Sequence, residues 1–190
     1  MPELEPWRTI SSRHVVRDRW LRLRADTCRT PEGELVEPYY VQEYPDWVHL
    51  VCFNGRNEVL LTRQYRHGCG YVSLELPCGT CDPSDASPLD TARRELLEET
   101  GYTSDRFEHL HTVSPNPASH ANSAHGFVAF DVYKAAEPVD DPIERIEHEF
   151  VPIAELLGLI DSGGFRHGLH VSAVYLALQR AGFLKIDPPS

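Results

Sequence analysis

Three closely spaced glutamates are the residues of this chain whose spacing points most directly to chemistry. Glu95, Glu98 and Glu99 stand at positions i, i+3 and i+4, so a helix would present all three carboxylates on one face. Carboxylates this close repel one another. A hard dication such as Mg²⁺ would relieve the repulsion, because it takes oxygen ligands and often shares them with substrate phosphates. The other interpretation is an acidic helix face in contact with water.

The sequence around these glutamates carries the signals of a helix with defined ends. Ser87 is suited to the N-cap, Pro88 to the first helical position, and Asp90 stands where a capping box has its acid. Gly101 is placed to end the helix in a left-handed conformation. We therefore predict a helix over residues 88–100, with its acidic face beside its apolar stripe at the rim of the core.

Weaker patterns predict the elements that must position this helix. Residues 20–26 alternate in the manner of a half-buried strand, and residues 36–41 follow as a return strand. Asn54-Gly55 lies between the apolar runs 48–53 and 59–61, which predicts a β-hairpin. Further strands are predicted around residues 72–76, 113, 126–133 and 150–151, and further helices over residues 153–160 and 169–178. This mixture predicts the α+β class.

The composition is that of one globular domain, or one domain with a small addition, in a chain of 190 residues. The 18 basic and 29 acidic side chains give a net charge of −11, which argues against nucleic-acid binding, because such proteins present a basic face. We expect no membrane association, since the sequence shows neither a transmembrane run nor a secretory signal. An odd count of five cysteines then predicts reduced thiols and a cytoplasmic protein.

Residues 94–102, RELLEETGY, resemble the second half of the signature of the Nudix hydrolase family, and they match its arginine, its three glutamates and its glycine. Upstream, Gly79 resembles the glycine that opens the signature. The intervening loop departs from the family pattern. Asp85 stands where the family has glutamate, and eight residues instead of seven separate Asp85 from Arg94. The departure concerns the geometry of this loop more than the metal-binding half.

The resemblance extends to the subgroup of ADP-ribose pyrophosphatases and nucleoside diphosphate sugar hydrolases. Residues 60–66 and 74–77 resemble the run that precedes the signature in this subgroup, and Pro115 and Pro117 resemble its downstream prolines. The resemblance implies an α/β/α sandwich, with a Nudix-type mixed sheet between helices. It also implies an N-terminal β-hairpin extension over residues 1–44 that pairs two chains as a homodimer, followed by a Nudix domain over residues 45–190.

The activity implied is Mg²⁺-dependent hydrolysis, with Mn²⁺ as the alternative ion. The expected partner is a small molecule, a nucleoside diphosphate linked to another group, with ADP-ribose or a related nucleotide sugar as the first expectation. By resemblance, Glu95 and Glu99 ligate the metal, while Glu98 ligates it or acts as the base. The backbone carbonyl of Cys78 is a further expected ligand. Arg94 orients the carboxylates through ion pairs.

The general base remains open between a carboxylate of the Nudix signature, here called the box, and a histidine of the loop that follows it. In the ADP-ribose enzymes a glutamate from the loop after the box serves as base, but residues 114–125 contain no acid. That stretch offers His120 and His125, and histidine acts as a base near neutral pH. We favour Glu98, because the predicted helix already places it beside the other two carboxylates.

Substrate contacts are expected on the strands before the box and in the N-terminal extension. Arg66 is the first candidate for a phosphate contact, followed by Arg63, with Glu75 as a further contact. Trp20 and Tyr39 fall near positions where related dimers stack the base. Stacking of a base on an aromatic ring contributes about 1–3 kcal/mol. The alternative for Trp20 is packing within its own hairpin.

Two other interpretations compete with a Mg²⁺-dependent enzyme. Cys78 and Cys81 form a C-x2-C pair that, with His67 and Cys69, indicates a zinc site or a redox pair. A non-catalytic Nudix module that senses a nucleotide is the second, and the altered loop favours it somewhat.

Overall fold

The structure is a computed structural model that describes residues 4–139 and 142–185. The chain divides into two compact units, the first containing residues 1–45 and 114–123 and the second the remainder. In the described part of the chain, no helix is long and apolar enough to cross a membrane.

The first unit contains a three-stranded antiparallel sheet in the order β1-β2-β3, formed by β1 (Arg8–Arg17), β2 (Arg22–Arg29) and β3 (Leu35–Gln42). The turn after β2 is closed by Gly33, whose N–H donates to the Thr30 carbonyl at 3.0 Å and whose φ is 94°. The predicted pair of strands is confirmed in β2 and β3. The sequence analysis missed β1, because its polar residues face water at almost every position and leave no alternation.

The second unit carries the remaining elements. Its strands are β4 (Trp47–Cys52), β5 (Glu58–Arg66), β6 (Tyr71–Glu75), β7 (Cys78–Thr80), β8 (Tyr102–Thr103), β9 (Arg106–Val113), β10 (Ala124–Phe130), β11 (Tyr133–Lys134) and β12 (Ile146–Pro152). Its helices are α1 (Pro88–Thr100), α2 (Ile153–Asp161) and α3 (Gly168–Arg180). One sheet has the order β7-β4-β10-β9, with β4 and β10 parallel, and another the order β12-β5-β6. The three predicted helices are confirmed.

Alternate faces of β4 bury their side chains against different helices. Val48 and Leu50 pack in one cluster with Ala92 and Leu96 of α1, whereas Val51 packs in the other. The second cluster contains residues of α2 and α3, namely Leu156, Ala173, Val174, Ala177 and Leu178. Since the two clusters lie on opposite faces of the strand, the sheets of this unit lie between α1 and the pair α2 and α3.

The predicted hairpin at Asn54-Gly55 was wrong in one respect. The turn exists, but β4 and β5 belong to different sheets and meet only at an isolated bridge between Phe53 and Val59. Each strand already has ladder partners on both sides, β4 with β7 and β10 and β5 with β6 and β12. Their backbone hydrogen bonds are therefore used elsewhere, and the turn carries the chain from one sheet to the other.

Candidate active site

Both ends of α1 form as the sequence predicts. The Ser87 hydroxyl accepts a hydrogen bond from the Asp90 N–H at 3.3 Å, and Pro88 occupies the first turn. Gly101 has a φ of 73° and its N–H donates to the Leu97 carbonyl at 2.8 Å. These ends fix the start and register of the helix, and so the direction in which its acidic face points.

Two of the three glutamates lie against the short strand β7. The Cys78 N–H donates to Oε2 of Glu99 at 3.1 Å. The carboxyl group of Glu95 occupies the space beside Gly79, where any Cβ would overlap it. Glycine is therefore required at this position by the close approach of a carboxylate. Strand β7, which opens the box, and helix α1 are thus in direct contact through these two glutamates.

Arg94 connects the acidic face to the irregular loop. Its Nη1 donates to Glu95 at 2.9 Å and to Glu98 at 3.0 Å, while Nε and Nη2 donate to the two oxygens of Asp85 at 3.2 and 2.8 Å. Asp85 also accepts from the Thr91 hydroxyl at 2.8 Å. The bonds from Arg94, followed by that from Thr91, lower the pKa of Asp85 to about 2. The shorter acid thus bonds to the arginine from a loop that is one residue longer than the family pattern.

A cavity of about 600 Å³ opens beside these residues. One part of its lining is acidic and consists of Glu95, Glu98, Glu99 and Glu144. Another part consists of the rings of Trp47, His49, His167 and His170. Gln64 and Arg66 of β5 also line it. A volume of this size is typical of small-molecule sites.

Burial without a sufficient counter-charge raises the pKa of two carboxyl groups in the acidic wall. For Glu99 the pKa rises to about 8, mainly because burial disfavours its charged form, and the charges of Glu95 and Glu144 add to the effect. The Cys78 N–H and Arg66 act in the opposite direction. Burial likewise raises the pKa of Glu95, although Arg94 opposes the shift. The positive charge near these two groups is therefore too small to offset the cost of ionising them.

The donor atoms of this wall fit a hard dication. Carboxylate oxygens are the ligand type that Mg²⁺ takes, and β7, against which Glu95 and Glu99 lie, offers the backbone carbonyl of Cys78. Among residues 4–139 and 142–185, however, no three acidic, histidine or cysteine side chains already stand together as a complete metal site. A cation held by Glu95 and Glu99 would therefore take further ligands from the backbone, water or substrate.

Arg66 and Glu75, both predicted substrate contacts, form a bidentate ion pair. Nε and Nη2 of Arg66 donate to the two oxygens of Glu75 at 3.0 and 2.7 Å, and the Glu75 side chain is buried. Arg66 lines the cavity, but Arg63 does not, because side chains alternate along β5 and Arg63 is exposed on the opposite face. The structure thus gives Arg63 no place in the cavity wall.

The aromatic residues predicted for base stacking lie in the first unit. Trp20 is 75% exposed, with the Arg19 guanidinium 4.0 Å from its ring centroid. Tyr39 donates its hydroxyl hydrogen to the Ala118 carbonyl and packs edge-on against Trp7. The lining of the cavity contains neither Trp20 nor Tyr39.

The two loop histidines considered as bases do not line the cavity either. His120 packs edge-on against Tyr44 in the first unit. His125 lies in β10, where its ring nitrogens contact the Thr112 hydroxyl at 3.0 Å and the Asp46 carboxylate at 3.2 Å.

Glu144 is the cavity residue that the sequence analysis missed. It stands two residues before β12, far beyond the stretch 114–125 in which a base was expected. Its charge contributes to the raised pKa of both Glu95 and Glu99, which places it within electrostatic reach of both. The only sequence signal was an acid just ahead of a strand. Glu144 reaches the cavity because β12 pairs with β5, which is distant in sequence.

The ring-lined part of the cavity was also missed, and its histidines are neutral. Burial is the main cause that lowers the pKa of His49 to about 3, and burial also lowers the pKa of His167 and His170. His170 is held in place because its Nδ1 accepts a hydrogen bond from the Leu76 N–H at 3.1 Å. This side of the cavity therefore adds no positive charge that could balance the acids.

The zinc and redox interpretations of the cysteine pair find no support. All five cysteines are free thiols. The Cys78 thiol contacts Glu75 and Arg66, each at 3.7 Å, whereas Cys81 packs against the core cluster that contains α1. The two thiols therefore have different neighbours, and no three-ligand cluster exists among the described side chains.

Comparison with known proteins identifies the class to which this fold and site belong. Residues 43–169 match the family described as NUDIX domain, and residues 7–42 match the nucleoside diphosphate sugar hydrolase N-terminal domain. The first match covers more than half of the chain, so the chain belongs to the Nudix family and is an enzyme of the hydrolase type. The resemblance of its acidic box is thereby confirmed.

Several relatives share most of this chain. A methanol dehydrogenase activator from Bacillus methanolicus is 28% identical over 82% of this chain and 81% of its own length. A CMP-5'-(N-acetyl-N-hydroxy-3-aminopropyl)phosphonate hydrolase from Streptomyces rubellomurinus is 31% identical over 83% and 75%. An ADP-ribose pyrophosphatase from Mycobacterium tuberculosis is 29% identical over 87% and 80%.

A solved structure of an ADP compounds hydrolase matches the fold. Its TM-score is 0.84, with 24% sequence identity, and the match covers 97% of this chain and 100% of the other. At this identity the likeness shows the fold alone, and it confirms the predicted α+β class.

The raised pKa of Glu99 predicts a specific dependence of stability on pH. The neutral Glu99 side chain makes its full contribution to the free energy of unfolding below pH 4.5, the ordinary pKa of the group. This contribution is lost as the pH rises to about 8, the pKa in the folded protein. In metal-free buffer at pH 8, Glu99→Gln should therefore be more stable than the wild type, by about 4 kcal/mol at most. Urea denaturation across this pH range measures the effect. Glu155→Gln, the same change at an exposed position in α2, should retain the wild-type pH dependence; an identical profile for Glu99→Gln would contradict the prediction.

Proposed function

We propose that this chain hydrolyses the diphosphate bond of a nucleoside diphosphate linked to another group, with Mg²⁺ as cofactor and ADP-ribose as the first substrate to test. Family membership supports diphosphate hydrolysis, and a relative named ADP-ribose pyrophosphatase supports the choice of substrate. The match to the nucleoside diphosphate sugar hydrolase N-terminal domain and a relative that hydrolyses a CMP-linked compound add nucleotide sugars and CMP-linked compounds to the same screen.

The observation that carries this proposal is the imbalance of charge around the cavity. Four acidic side chains line it, and among the described lining residues Arg66 is the one arginine or lysine. The guanidinium of Arg66 is already bonded to Glu75. A diphosphate is itself anionic, so it would be repelled from this wall unless a dication stood between them.

Residues of the chain then have separate tasks in the reaction. Glu95 and Glu99, with the Cys78 carbonyl, would hold Mg²⁺, which when bound polarises phosphoryl oxygens and neutralises their charge. Arg94 orients Glu95 through the bond at 2.9 Å, and Arg66 is placed to contact a phosphate oxygen at the cavity wall. The oxygen of water bonds to one phosphorus as the bridging P–O bond breaks, which yields two phosphomonoesters.

The general base in this proposal is Glu144. A base must come within about 2.6–3.2 Å of the proton that it removes. Glu98 is engaged by Arg94 at 3.0 Å and its side chain is 46% exposed, which makes it a poorer candidate than the sequence suggested. Glu144 lines the cavity and acts electrostatically on both candidate metal ligands, which supports its position near the attacked phosphate.

The direct test is turnover. Purified protein is assayed with Mg²⁺ against ADP-ribose, nucleotide sugars, CMP-linked compounds and dinucleotides, with both products identified. Glu99→Gln should lower hydrolysis by at least about a hundredfold while the fold is retained, because a charged ligand is lost. Glu155→Gln should retain the wild-type rate. Absence of turnover on every class, or full activity of Glu99→Gln, would defeat the proposal.

The assignment of the base is tested by a matched pair of variants. Glu144→Gln should lower kcat by about 10²–10⁴-fold with little change in KM, since only proton removal is lost. Glu98→Gln should have the smaller effect. The comparison is made at saturating Mg²⁺ over the full pH range, and a larger loss in Glu98→Gln would reverse the assignment.

We also propose that the chain forms a homodimer through its extension, residues 1–44. Nearly every side chain of the long strand β1 is exposed, and the exposed residues include Ile10 and Val15. Light scattering on the full chain should give twice the mass of one chain. A monomeric mass would contradict this proposal.

A further inference from the structure

Gln64 is a buried amide in a strand whose other buried residues are mainly aliphatic. Val59, Leu60 and Leu61 of β5 are fully buried, and Gln64, further along the strand, is only 9% exposed. Burial of an amide costs free energy unless it is hydrogen-bonded. Its Nε2 donates to Oε1 of Glu144 at 3.3 Å.

The register of two strands creates this contact. Gln64 pairs directly with Ile146, the first residue of β12, in the antiparallel ladder between β5 and β12. Glu144 precedes Ile146 by two residues, in the bend that leads into β12, so this pairing brings its side chain to that of Gln64. All three residues line the cavity. The ladder therefore brings the carboxylate to the wall, and the amide of Gln64 meets it there.

We infer that Gln64 is a positioning residue for the hydrolysis, and that its amide fixes the orientation of the Glu144 carboxylate by holding Oε1. This inference rests on the proposed function, in which Glu144 is the base. A glutamate side chain has several rotatable bonds, and a displacement of about 1 Å from the reacting geometry can cost about a hundredfold in rate. One hydrogen bond from a fixed strand removes much of that freedom.

The chemical type of Gln64 suits this task better than a charged residue would. A lysine or arginine at this position would hold the carboxylate but would also weaken it as a base, because a nearby positive charge favours its ionised form. A carboxylate would repel it and add to an acidic wall in which burial already raises the pKa of Glu99 to about 8. A neutral amide donates a hydrogen bond without the repulsion, and it lowers the basicity of the carboxylate less than a full positive charge would.

A double-mutant cycle separates positioning from a purely structural role. Gln64→Leu keeps a similar size without the donor and should lower kcat about tenfold, with KM within about twofold of wild type. In the Glu144→Gln background the same change should cause no further loss, because a residue that acts through Glu144 has nothing left to position. Tyr65→Leu, on the exposed face of the same strand, is the matched control and should retain the wild-type rate.

The outcomes distinguish the inference about Gln64 from the proposal that Glu144 is the general base. Equal loss from Gln64→Leu in both backgrounds would overturn the inference, as would a normal kcat for Gln64→Leu while Glu144→Gln is impaired. A normal kcat for Glu144→Gln would instead overturn the assignment of the base. If Gln64→Leu fails to fold, Gln64→Met replaces it, because methionine is unbranched like glutamine and has no donor. An unimpaired rate in Gln64→Met would likewise overturn the inference.

Discussion

The candidate active site of the second unit depends on the burial of two carboxylates against β7. Glu95 occupies the space that Gly79 leaves, and Glu99 accepts the Cys78 N–H. Water would solvate these groups better than the protein does, and the raised pKa of each is the measure of that cost. Such an arrangement lowers the free energy of unfolding in the absence of a cation. A bound cation would compensate this cost. The helix ends and the turn into β7 are the means by which it is maintained.

The cavity combines two kinds of wall with different roles. In the proposed reaction the acidic wall would act on the diphosphate through a cation, whereas the wall of neutral imidazole and indole rings would offer flat, uncharged surfaces to the remainder of the substrate. Burial keeps the histidines of this second wall uncharged at neutral pH, as the pKa of about 3 for His49 shows. Positive charge is thus confined to Arg66 among the described lining residues, so in the proposed reaction a bound cation would be the main source of attraction for phosphate.

Local features were predictable and non-local ones were not. The box helix and its acidic face follow from spacing and capping residues within one segment, so they could be predicted. Glu144 reaches the cavity only through the pairing of β12 with β5, and the turn at Asn54-Gly55 leads into a second sheet because both strands are paired elsewhere. The exchange of glutamate for Asp85 was visible in the sequence, but its bidentate bonds to Arg94 became clear only from the loop geometry.

The most direct test of the central claim, that the buried pair Glu95 and Glu99 is a dication site, is proton release on Mg²⁺ binding. Titration calorimetry at pH 7 in two buffers of different ionisation enthalpy counts the protons released. A carboxyl group with a pKa of about 8 is largely protonated at this pH and must lose its proton to bind a metal. We predict release of close to one proton per ion at pH 7, falling toward zero above about pH 9, and loss of this signal in Glu99→Gln. Binding without proton release, or release unchanged in Glu99→Gln, would contradict the account.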